Sequence, residues 1–207
     1  MNEHLHWRYT TKKFDPARVI PPEEFSFLLE VLRLAPSSYG LQPWKFVIVR
    51  QPHIREKLKE YSWGQSQVTE ASHLLVFCAR TRIDDQYIRK HIEHIAKIRN
   101  VSVDSLKNYE KGMQNFVVSQ TPQELADWIK RQVYIPLGML VAECAHRKID
   151  ASPIEGFEVA KVDALLGLPD EGVTSLAFCA LGYRAADDRY AGLQRVRFEA
   201  TDVFIDR

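Results

Sequence analysis

The stretch "TPQELADWIKRQVYIPLGMLVAECAHRKI" (residues 121–149) carries the strongest helix signal in the chain. Thr121 and Glu124 have the spacing of a capping box, and the proline between them suits the first helical position. The sequence therefore predicts a long helix that begins here. From Ile135 to Ala145 nearly every residue is apolar, which predicts that this half lies deep in the structure or at a subunit interface.

Helices and strands alternate on both sides of this segment. "PPEEFSFLLEVLRLA" (21–35) places apolar residues at i, i+3, i+4 and i+7, and residues 84–118 have a charged helical pattern. Further short helices are predicted at 52–61 and 159–167, strands at 44–50, 73–79 and 172–183, and a strand-like piece in the tail at 200–207. Because no low-complexity linker divides the chain, we expect one domain over residues 1–207, of α+β or α/β class with a small sheet between helices.

Composition limits the classes of function. The 28 basic and 27 acidic residues nearly cancel, so we expect no nucleic-acid or anionic-membrane partner. The three cysteines (Cys78, Cys144 and Cys179) lie far apart in apolar runs without a CxxC pair, which indicates buried thiols in a reducing compartment. With no apolar run of membrane-spanning length and no N-terminal apolar region, the predicted location is cytoplasmic.

Several catalytic and binding motifs are missing. No two of the nine glycines are separated by a single residue, which excludes GxGxxG and with it a Rossmann dinucleotide site. His91 and His94 could ligate a metal from one helix, but no third ligand is near in sequence, so we interpret them as a packed or solvated pair and expect no metal. Ser37 and Ser38 lie outside a G-x-S-x-G motif, so nothing local indicates a hydrolase.

Two basic stretches stand at opposite ends of the chain. "RYTTKKFD" occupies residues 8–15, and "QRVRF" occupies residues 194–198. Because the overall charge is balanced, an anion would have to be bound by a local cluster, and both stretches are candidates for it. Taken alone, each would more often be solvated surface charge.

Three stretches in this order, "RYTTKKFD" (8–15), "APSSYGLQPWKF" (35–46) and "ASPIEGF" (151–157), together with the closing "RVR", resemble the FMN-dependent nitroreductase family, in its oxygen-insensitive NAD(P)H nitroreductase branch. The resemblance extends over nearly the whole chain. It implies an α+β nitroreductase-like fold with a small mixed sheet flanked by helices. It also implies an interlocked homodimer with two FMN sites in the interface and an exchanged C-terminal tail.

The resemblance also implies which residues bind FMN. They are Arg8, Tyr9, Thr10, Lys12, Pro36, Ser37, Ser38, Gln42, Gln65, Gln67, Pro153, Ile154, Glu155, Gly156, Arg195 and Arg197. The three arginines and Thr10 would hold the phosphate, and Lys12 would reach the pyrimidine side of the ring. The turn that carries Pro36 would come from the neighbouring subunit. The main-chain N–H groups of Glu155 and Gly156 would face flavin N5 and O4, with glycine allowing a close approach.

Some positions depart from the family pattern. Gly40 stands where relatives often have Asn, and Gln67 and Gly64 stand where well-known members carry Lys and Asn. Gln65 could compensate for these losses. The substrate pocket is expected to include Gly40, with Tyr109 and Phe116 as lid residues. These two lie within 100–120, the region for which the family pattern is the weakest guide.

The implied function is an FMN-dependent NAD(P)H oxidoreductase that reduces nitroaromatics, quinones or similar electron-poor acceptors by ping-pong two-electron transfer. The chemistry resides on FMN, so no catalytic side chain is assigned, and the role expected for Glu155 is structural. Either NADH or NADPH could be the reductant. The alternatives are the same fold and cofactor with another acceptor, by dihydropteridine reduction or reductive dehalogenation, and a flavin-binding module without turnover.

Overall fold

The computed structural model describes residues 3–207 of the chain. Its sheet has the order β1-β2-β4-β3, with β1 at Trp44–Val49, β2 at His73–Arg80, β3 at Asp150–Ile154 and β4 at Val173–Gly182. All three pairings within it are antiparallel. The parallel pairing found in the described chain is the isolated bridge between Thr10 and Ala151, so the mixed character predicted for the sheet is confined to this bridge.

The helices flank this sheet. Their bounds are α1 Glu3–Trp7, α2 Pro22–Leu34, α3 Pro52–Tyr61, α4 Gln67–Glu70, α5 Asp85–Arg99, α6 Lys107–Val118, α7 Pro122–His146, α8 Val159–Leu166 and α9 Ala200–Val203. The predicted capping box starts α7: Thr121 Oγ1 accepts from Glu124 N at 3.3 Å, and Glu124 Oε2 accepts from Thr121 N at 2.8 Å. The sequence pattern therefore placed the start of the 25-residue helix correctly.

Both faces of the sheet are buried. On one face Leu75 and Phe77 of β2 pack in a core with α2, α5 and α7, and on the other Leu74 and Val76 pack with α3 and α8. The prediction that this strand is covered on both sides is confirmed. The three cysteines are free and buried, as predicted, and burial raises the pKa of Cys78 to about 12.

The helical pattern over 84–118 is not one helix. Asn100 takes the left-handed conformation (φ 52°), and its N–H closes onto the carbonyls of Ala96 and Lys97. This arrangement ends α5 at Arg99, and a short 3₁₀ turn at Val103–Leu106 precedes α6. The residue that breaks the helix is an asparagine, which tolerates this conformation better than most residues.

Two further expectations need correction. The tail is not strand-like, because Ala200–Val203 forms α9, and Phe204 and Ile205 beyond it are 74% and 81% exposed, without a neighbouring strand. The second half of α7 is not buried on every side, since Ile135 and Met139 are 38% and 37% exposed while Leu140 is buried. The alternative that this whole half lies deep in the structure is therefore wrong for the face that carries Ile135 and Met139, and its place in a subunit interface stays a prediction. Within residues 3–207, no helix has both the length and the apolar character that crossing a membrane requires.

Candidate functional site

The N-terminal basic stretch lies along the edge of the sheet. Thr10 pairs with Ala151 of β3, and Phe14 pairs with Arg184, just beyond β4. The main-chain N–H of Asp15 donates to the carbonyl of Tyr183 at 2.8 Å. Thr10 therefore lies beside β3, the strand whose C-terminal end carries two of the predicted flavin contacts, and Phe14 and Asp15 lie beside the segment that follows β4.

A buried ion pair between Asp150 and Arg184 fixes the position of the N-terminal basic stretch. The guanidinium of Arg184 donates to Asp150 Oδ1 through Nη2 at 2.7 Å and through Nε at 3.0 Å. The fully buried Thr11 donates its hydroxyl to the same oxygen at 3.1 Å. The Arg184 guanidinium also lies 4.5 Å from the centre of the Tyr9 ring. Because a buried pair of this kind demands a single geometry, it fixes the position of the N-terminal stretch.

Asp188 is a second anchor, from the segment after β4. Its Oδ2 accepts from the Tyr9 hydroxyl at 2.7 Å and from the main-chain N–H groups of Lys12 and Lys13 at 3.0 and 3.2 Å. Burial opposes ionisation of Asp188, but the donors outweigh it and hold the pKa of this carboxyl below its ordinary value. Sequence reasoning missed Asp150, Arg184 and Asp188, because no local spacing links residues that are 34 positions apart, as Asp150 and Arg184 are, or 139 and more, as the two carboxylates and the N-terminal stretch are.

The two basic stretches meet in one cleft of about 330 Å³. This arginine cleft is lined by Arg8, Tyr9, Thr10, Tyr190, Leu193, Gln194, Arg195, Val196 and Arg197. The Nε of Arg195 donates to the carbonyl of Arg8 at 3.1 Å, and its guanidinium lies 4.7 Å from the centre of the Tyr9 ring. Burial, followed by the charges of Arg197 and Arg195, lowers the pKa of Arg8.

No carboxylate of residues 3–207 forms an ion pair with any of the three arginines of the cleft. Three guanidinium groups gathered without an acidic counter-ion suit an anion with several acceptor oxygens, and a phosphate monoester has that chemistry. The donor set at this position therefore fits the phosphate of FMN.

Lys12 opens onto an adjoining depression of about 290 Å³, which shares Tyr190 with the arginine cleft. The neighbouring Lys13 forms an ion pair with Asp187, whereas the exposed Lys12 ammonium has no such pair in the described part of the chain. Lys12 is thus the lysine of this stretch that can serve a ligand. The predicted contact Gln67 lies on α4 with its side chain buried.

The loop after β3 is held by groups of the chain itself. Gln65 Nε2 donates to the Gly156 carbonyl at 2.9 Å, so its N–H groups are engaged with the loop. A Cβ at Gly156 would come within 2.6 Å of the Trp63 ring. The Trp63 ring therefore requires glycine at this position, in addition to the predicted close approach of a flavin. The Tyr134 hydroxyl donates to Glu155 Oε1 at 2.8 Å. Trp63 and Tyr134 are contacts that sequence reasoning missed.

A separate group forms in the turn between α2 and β1. It contains the predicted residues Pro36, Ser37, Ser38, Gly40 and Gln42. Ser37 Oγ accepts from Gln42 N at 2.8 Å, and Ser38 N donates to Gln132 Oε1 at 2.9 Å. No hydrogen bond within residues 3–207 joins this turn to the arginine cleft, so one chain does not bring the two groups together. That the turn serves the flavin of a neighbouring subunit stays a prediction.

The three predicted pocket residues do lie together, around Tyr39. The Tyr109 hydroxyl donates to the Tyr39 carbonyl at 2.9 Å, and the Phe116 ring centre lies 5.5 Å from that of Tyr39. Gly40 follows directly, in the left-handed conformation (φ 69°). Sequence reasoning did not assign Tyr39 to the pocket, although an aromatic residue inside "PSSYG" could have indicated it.

The histidine pair lines a cavity of about 500 Å³, which Gln42 also lines. His91 Nε2 lies 3.1 Å from the Tyr39 carbonyl, and burial lowers the pKa of His91. No set of three metal-ligating side chains occurs within residues 3–207. His91 packs against the carbonyl of Tyr39, whereas His94 is exposed.

Several known proteins are similar to this chain in sequence. The family model "Nitroreductase family" matches residues 5–183. A Bacillus subtilis (strain 168) protein named as the NAD(P)H nitroreductase YfkO is 37% identical over 195 residues, covering 89% of this chain and 88% of its own. A Staphylococcus epidermidis protein named as the NAD(P)H nitroreductase SERP2086 is 35% identical over 201 residues, covering 92% of this chain and 90% of its own.

Solved structures share the fold. The nitroreductase ydfN of Bacillus subtilis superposes with a TM-score of 0.86 at 20% identity, covering 99% of this chain and 97% of its own. A structure from Exiguobacterium sibiricum 255-15, described as a nitroreductase in complex with FMN, gives 0.83 at 21% identity, covering 99% of this chain and 96% of its own. These similarities confirm the predicted fold class.

Proposed function

The chain belongs to the nitroreductase family, and on that premise we propose that it is an FMN-dependent NAD(P)H oxidoreductase that reduces nitroaromatics, quinones or similar electron-poor acceptors. The observation that carries the proposal is the arginine cleft. Its guanidinium groups come from both ends of the chain and have no acidic counter-ion among the described residues. The named relatives, and the neighbour in complex with FMN, support the choice of cofactor and reductant.

The residues of the cleft would hold FMN by its phosphate. Arg8, Arg195 and Arg197 supply charge-assisted donors, and the Thr10 hydroxyl supplies one more. Such hydrogen bonds contribute about 1.5–3 kcal/mol each. Because association costs about 4–15 kcal/mol, the phosphate contacts alone do not give tight binding, and burial of the ring must add to them.

The remaining residues of the site would line the space for the flavin ring. When bound, FMN takes two electrons as a hydride from NAD(P)H and passes them to the acceptor. The buried Ile154 and half-buried Pro153 offer an apolar wall, and Lys12 offers a positive charge. Because the chain has no separate dinucleotide-binding motif, nicotinamide and acceptor would use one pocket in turn, which gives ping-pong kinetics.

We further propose that the site is completed in a homodimer. The exposed Ile135 and Met139 of α7, together with Leu34 of α2, leave apolar surface without cover in one chain. The turn that carries Ser37 and Ser38 would then complete the flavin site of the neighbouring copy. The cytoplasmic location stays a prediction.

Absorbance spectroscopy of the purified protein tests the function. We expect a flavin spectrum that bleaches when NADH or NADPH is added without oxygen and returns when a nitroaromatic or a quinone is added. Initial rates at several concentrations of both substrates should give parallel double-reciprocal lines. A colourless preparation that takes up no FMN would contradict the proposal.

The same assay separates the alternatives. A flavin that bleaches but is reoxidised only by a dihydropteridine or a halotyrosine would indicate the same fold with another acceptor. A preparation that stays yellow with both nicotinamides would indicate a flavin-binding module without turnover. One solved structure of this fold is an enone reductase, so acceptors differ among proteins of this fold.

A further inference from the structure

Three side chains from two parts of the chain meet at the Glu155–Gly156 loop. Trp63 and Gln65 come from the segment between α3 and α4, and Tyr134 comes from the exposed face of α7. None of the three is needed to close the hydrophobic core. Their common target is the loop whose main-chain N–H groups would face the flavin.

The Gly156 side of the loop is fixed by two contacts. Gln65 Nε2 donates to the Gly156 carbonyl at 2.9 Å and to the Ser62 carbonyl at 3.1 Å, and because a peptide unit is planar this sets the orientation of the unit that follows Gly156. Trp63 lies so close to Gly156 that a Cβ there would be 2.6 Å from its ring. Trp63 itself has a φ of 55°, a conformation that costs free energy in a bulky residue.

The Glu155 side of the loop is fixed by one hydroxyl. Tyr134 Oη donates to Glu155 Oε1 at 2.8 Å. Burial, and then the Glu155 carboxylate, raises the pKa of Tyr134 to about 12, so the hydroxyl stays a donor throughout the neutral range. No basic side chain within residues 3–207 forms an ion pair with Glu155, so Tyr134 is the group that determines where this carboxylate points.

We propose that Tyr134 is a positioning residue: its hydroxyl holds the Glu155 carboxylate aside so that the main-chain N–H groups of Glu155 and Gly156, and not a carboxylate, face the redox-active edge of the flavin. This inference rests on the proposed function. Reduction adds electrons at that edge, and N–H dipoles favour the added charge whereas a carboxylate opposes it. Without the hydroxyl, the Glu155 side chain is free to turn towards the flavin, and the bound flavin becomes harder to reduce.

Tyr134→Phe tests this directly, because it removes the hydroxyl and keeps the ring. Two quantities are measured on the flavin-loaded protein: the midpoint potential of the flavin, and the rate of its anaerobic bleaching by NADH or NADPH in a stopped-flow instrument. We expect a more negative potential and a roughly two- to tenfold slower reduction, the effect of one hydrogen bond. The ratio of flavin to protein should be unchanged.

Tyr61→Phe is the matched control. Tyr61 lies at the end of α3, beside the same loop, but its hydroxyl has no hydrogen bond to another described residue. This variant should have the wild-type potential and rate. An equal change in both variants would contradict a specific role for Tyr134.

Removing the charge from Glu155 distinguishes a positioning role of the Tyr134 hydroxyl from a packing role. The double variant Tyr134→Phe, Glu155→Gln should regain most of the wild-type potential and rate, because no anion remains to oppose reduction. A wild-type potential in Tyr134→Phe, or no recovery in the double variant, would overturn the proposal. A wild-type protein that binds no flavin or does not bleach would overturn the proposed function itself, and this result is distinguishable from either of those.

Discussion

The two basic stretches that meet in the arginine cleft are anchored very differently. Residues 8–15 rest on the buried pair of Asp150 and Arg184 and are held again by Asp188. The tail segment that carries Arg195 and Arg197 has few such contacts, and Val196 and Phe198 beside them are more than four-fifths exposed, at 87% and 84%. The N-terminal side of the cleft is therefore fixed by contacts within a single chain. The tail side lies next to it but has few contacts that fix its position.

Packing explains this difference. The tail exposes a series of apolar side chains (Leu193, Val196, Phe198, Val203, Phe204 and Ile205), each of which gains free energy only when another surface covers it. Uncovered apolar surface of this kind is typical of interaction sites, and we propose that a second copy of the chain covers the tail. The N-terminal stretch instead satisfies its polar groups internally, so it needs no partner.

The largest effect should come from breaking the anchored side. Asp150→Ala leaves the Arg184 guanidinium, which is only 22% exposed, without its counter-ion, and the expected loss is about 3–5 kcal/mol in the free energy of unfolding. Chemical denaturation measures it. Asp187→Ala, which removes the exposed partner of Lys13, is the matched control and should unfold like the wild type. Equal effects of the two substitutions would contradict the anchoring role of Asp150.

Substitutions in the tail should weaken association of the chain into a dimer and leave its folding unchanged. The double variant Phe204→Ala, Ile205→Ala removes two apolar side chains whose burial at an interface contributes about 1.5–3 kcal/mol each, so the dimer should weaken roughly a hundredfold or more. Sedimentation over a concentration series measures this change. A wild-type protein that is a monomer at all concentrations, or a variant with unchanged association, would show that no second copy covers the tail.

Arg197→Ala tests the tail's contribution to the cleft. The loss of one charge-assisted donor should weaken FMN binding roughly ten- to a hundredfold, with unfolding unchanged, as measured by flavin titration of the apoprotein. Arg82→Ala removes another exposed arginine, whose ion pair is with Asp84, and this variant should bind FMN like the wild type. FMN affinity that is equal in the two variants would remove Arg197 from the site.

Acid should weaken the fold through His73, the first residue of β2, by the smallest of these effects. Burial, with Arg50 and Arg55 adding to it, lowers the pKa of His73 to about 4. Because the unfolded chain takes up this proton near pH 6.5, the stabilisation is complete above that pH and is lost as the pH falls towards 4, by about 1–3 kcal/mol.

His73→Gln isolates this contribution. The difference in unfolding free energy between pH 7 and pH 4.5 should be smaller in the variant than in the wild type, since only the wild type carries the titrating ring. Urea denaturation at both pH values provides the measurement. Identical pH dependence in the two proteins would contradict the assignment to His73.

The sequence predicted most of the local elements, for identifiable reasons, whereas the roles assigned to the residues of the site stay predictions. The capping box at Thr121 and the left-handed Gly167 after α8 act over a few residues, so they can be recognised from spacing alone. The resemblance to relatives identified the basic residues at the two chain ends, which the fold then brings into one cleft.

What sequence reasoning missed depends on long-range geometry. The hydrogen bonds of Asp150 and Asp188 to the N-terminal stretch join residues 139 and more than 170 positions apart, and the contact of Trp63 with Gly156 has no sequence signature. The tail was predicted as a strand because its composition favours one. A strand needs a neighbour to pair with, and the described chain offers none there.

The relative affinity of the apoprotein for FMN and for riboflavin tests most directly whether the arginine cleft is a phosphate site. The two ligands share the ring and the ribityl chain and differ only in the phosphate. If Arg8, Arg195 and Arg197 grip that group, FMN should bind roughly a hundredfold or more tightly than riboflavin. Equal affinity for the two ligands would contradict a phosphate site at the arginine cleft.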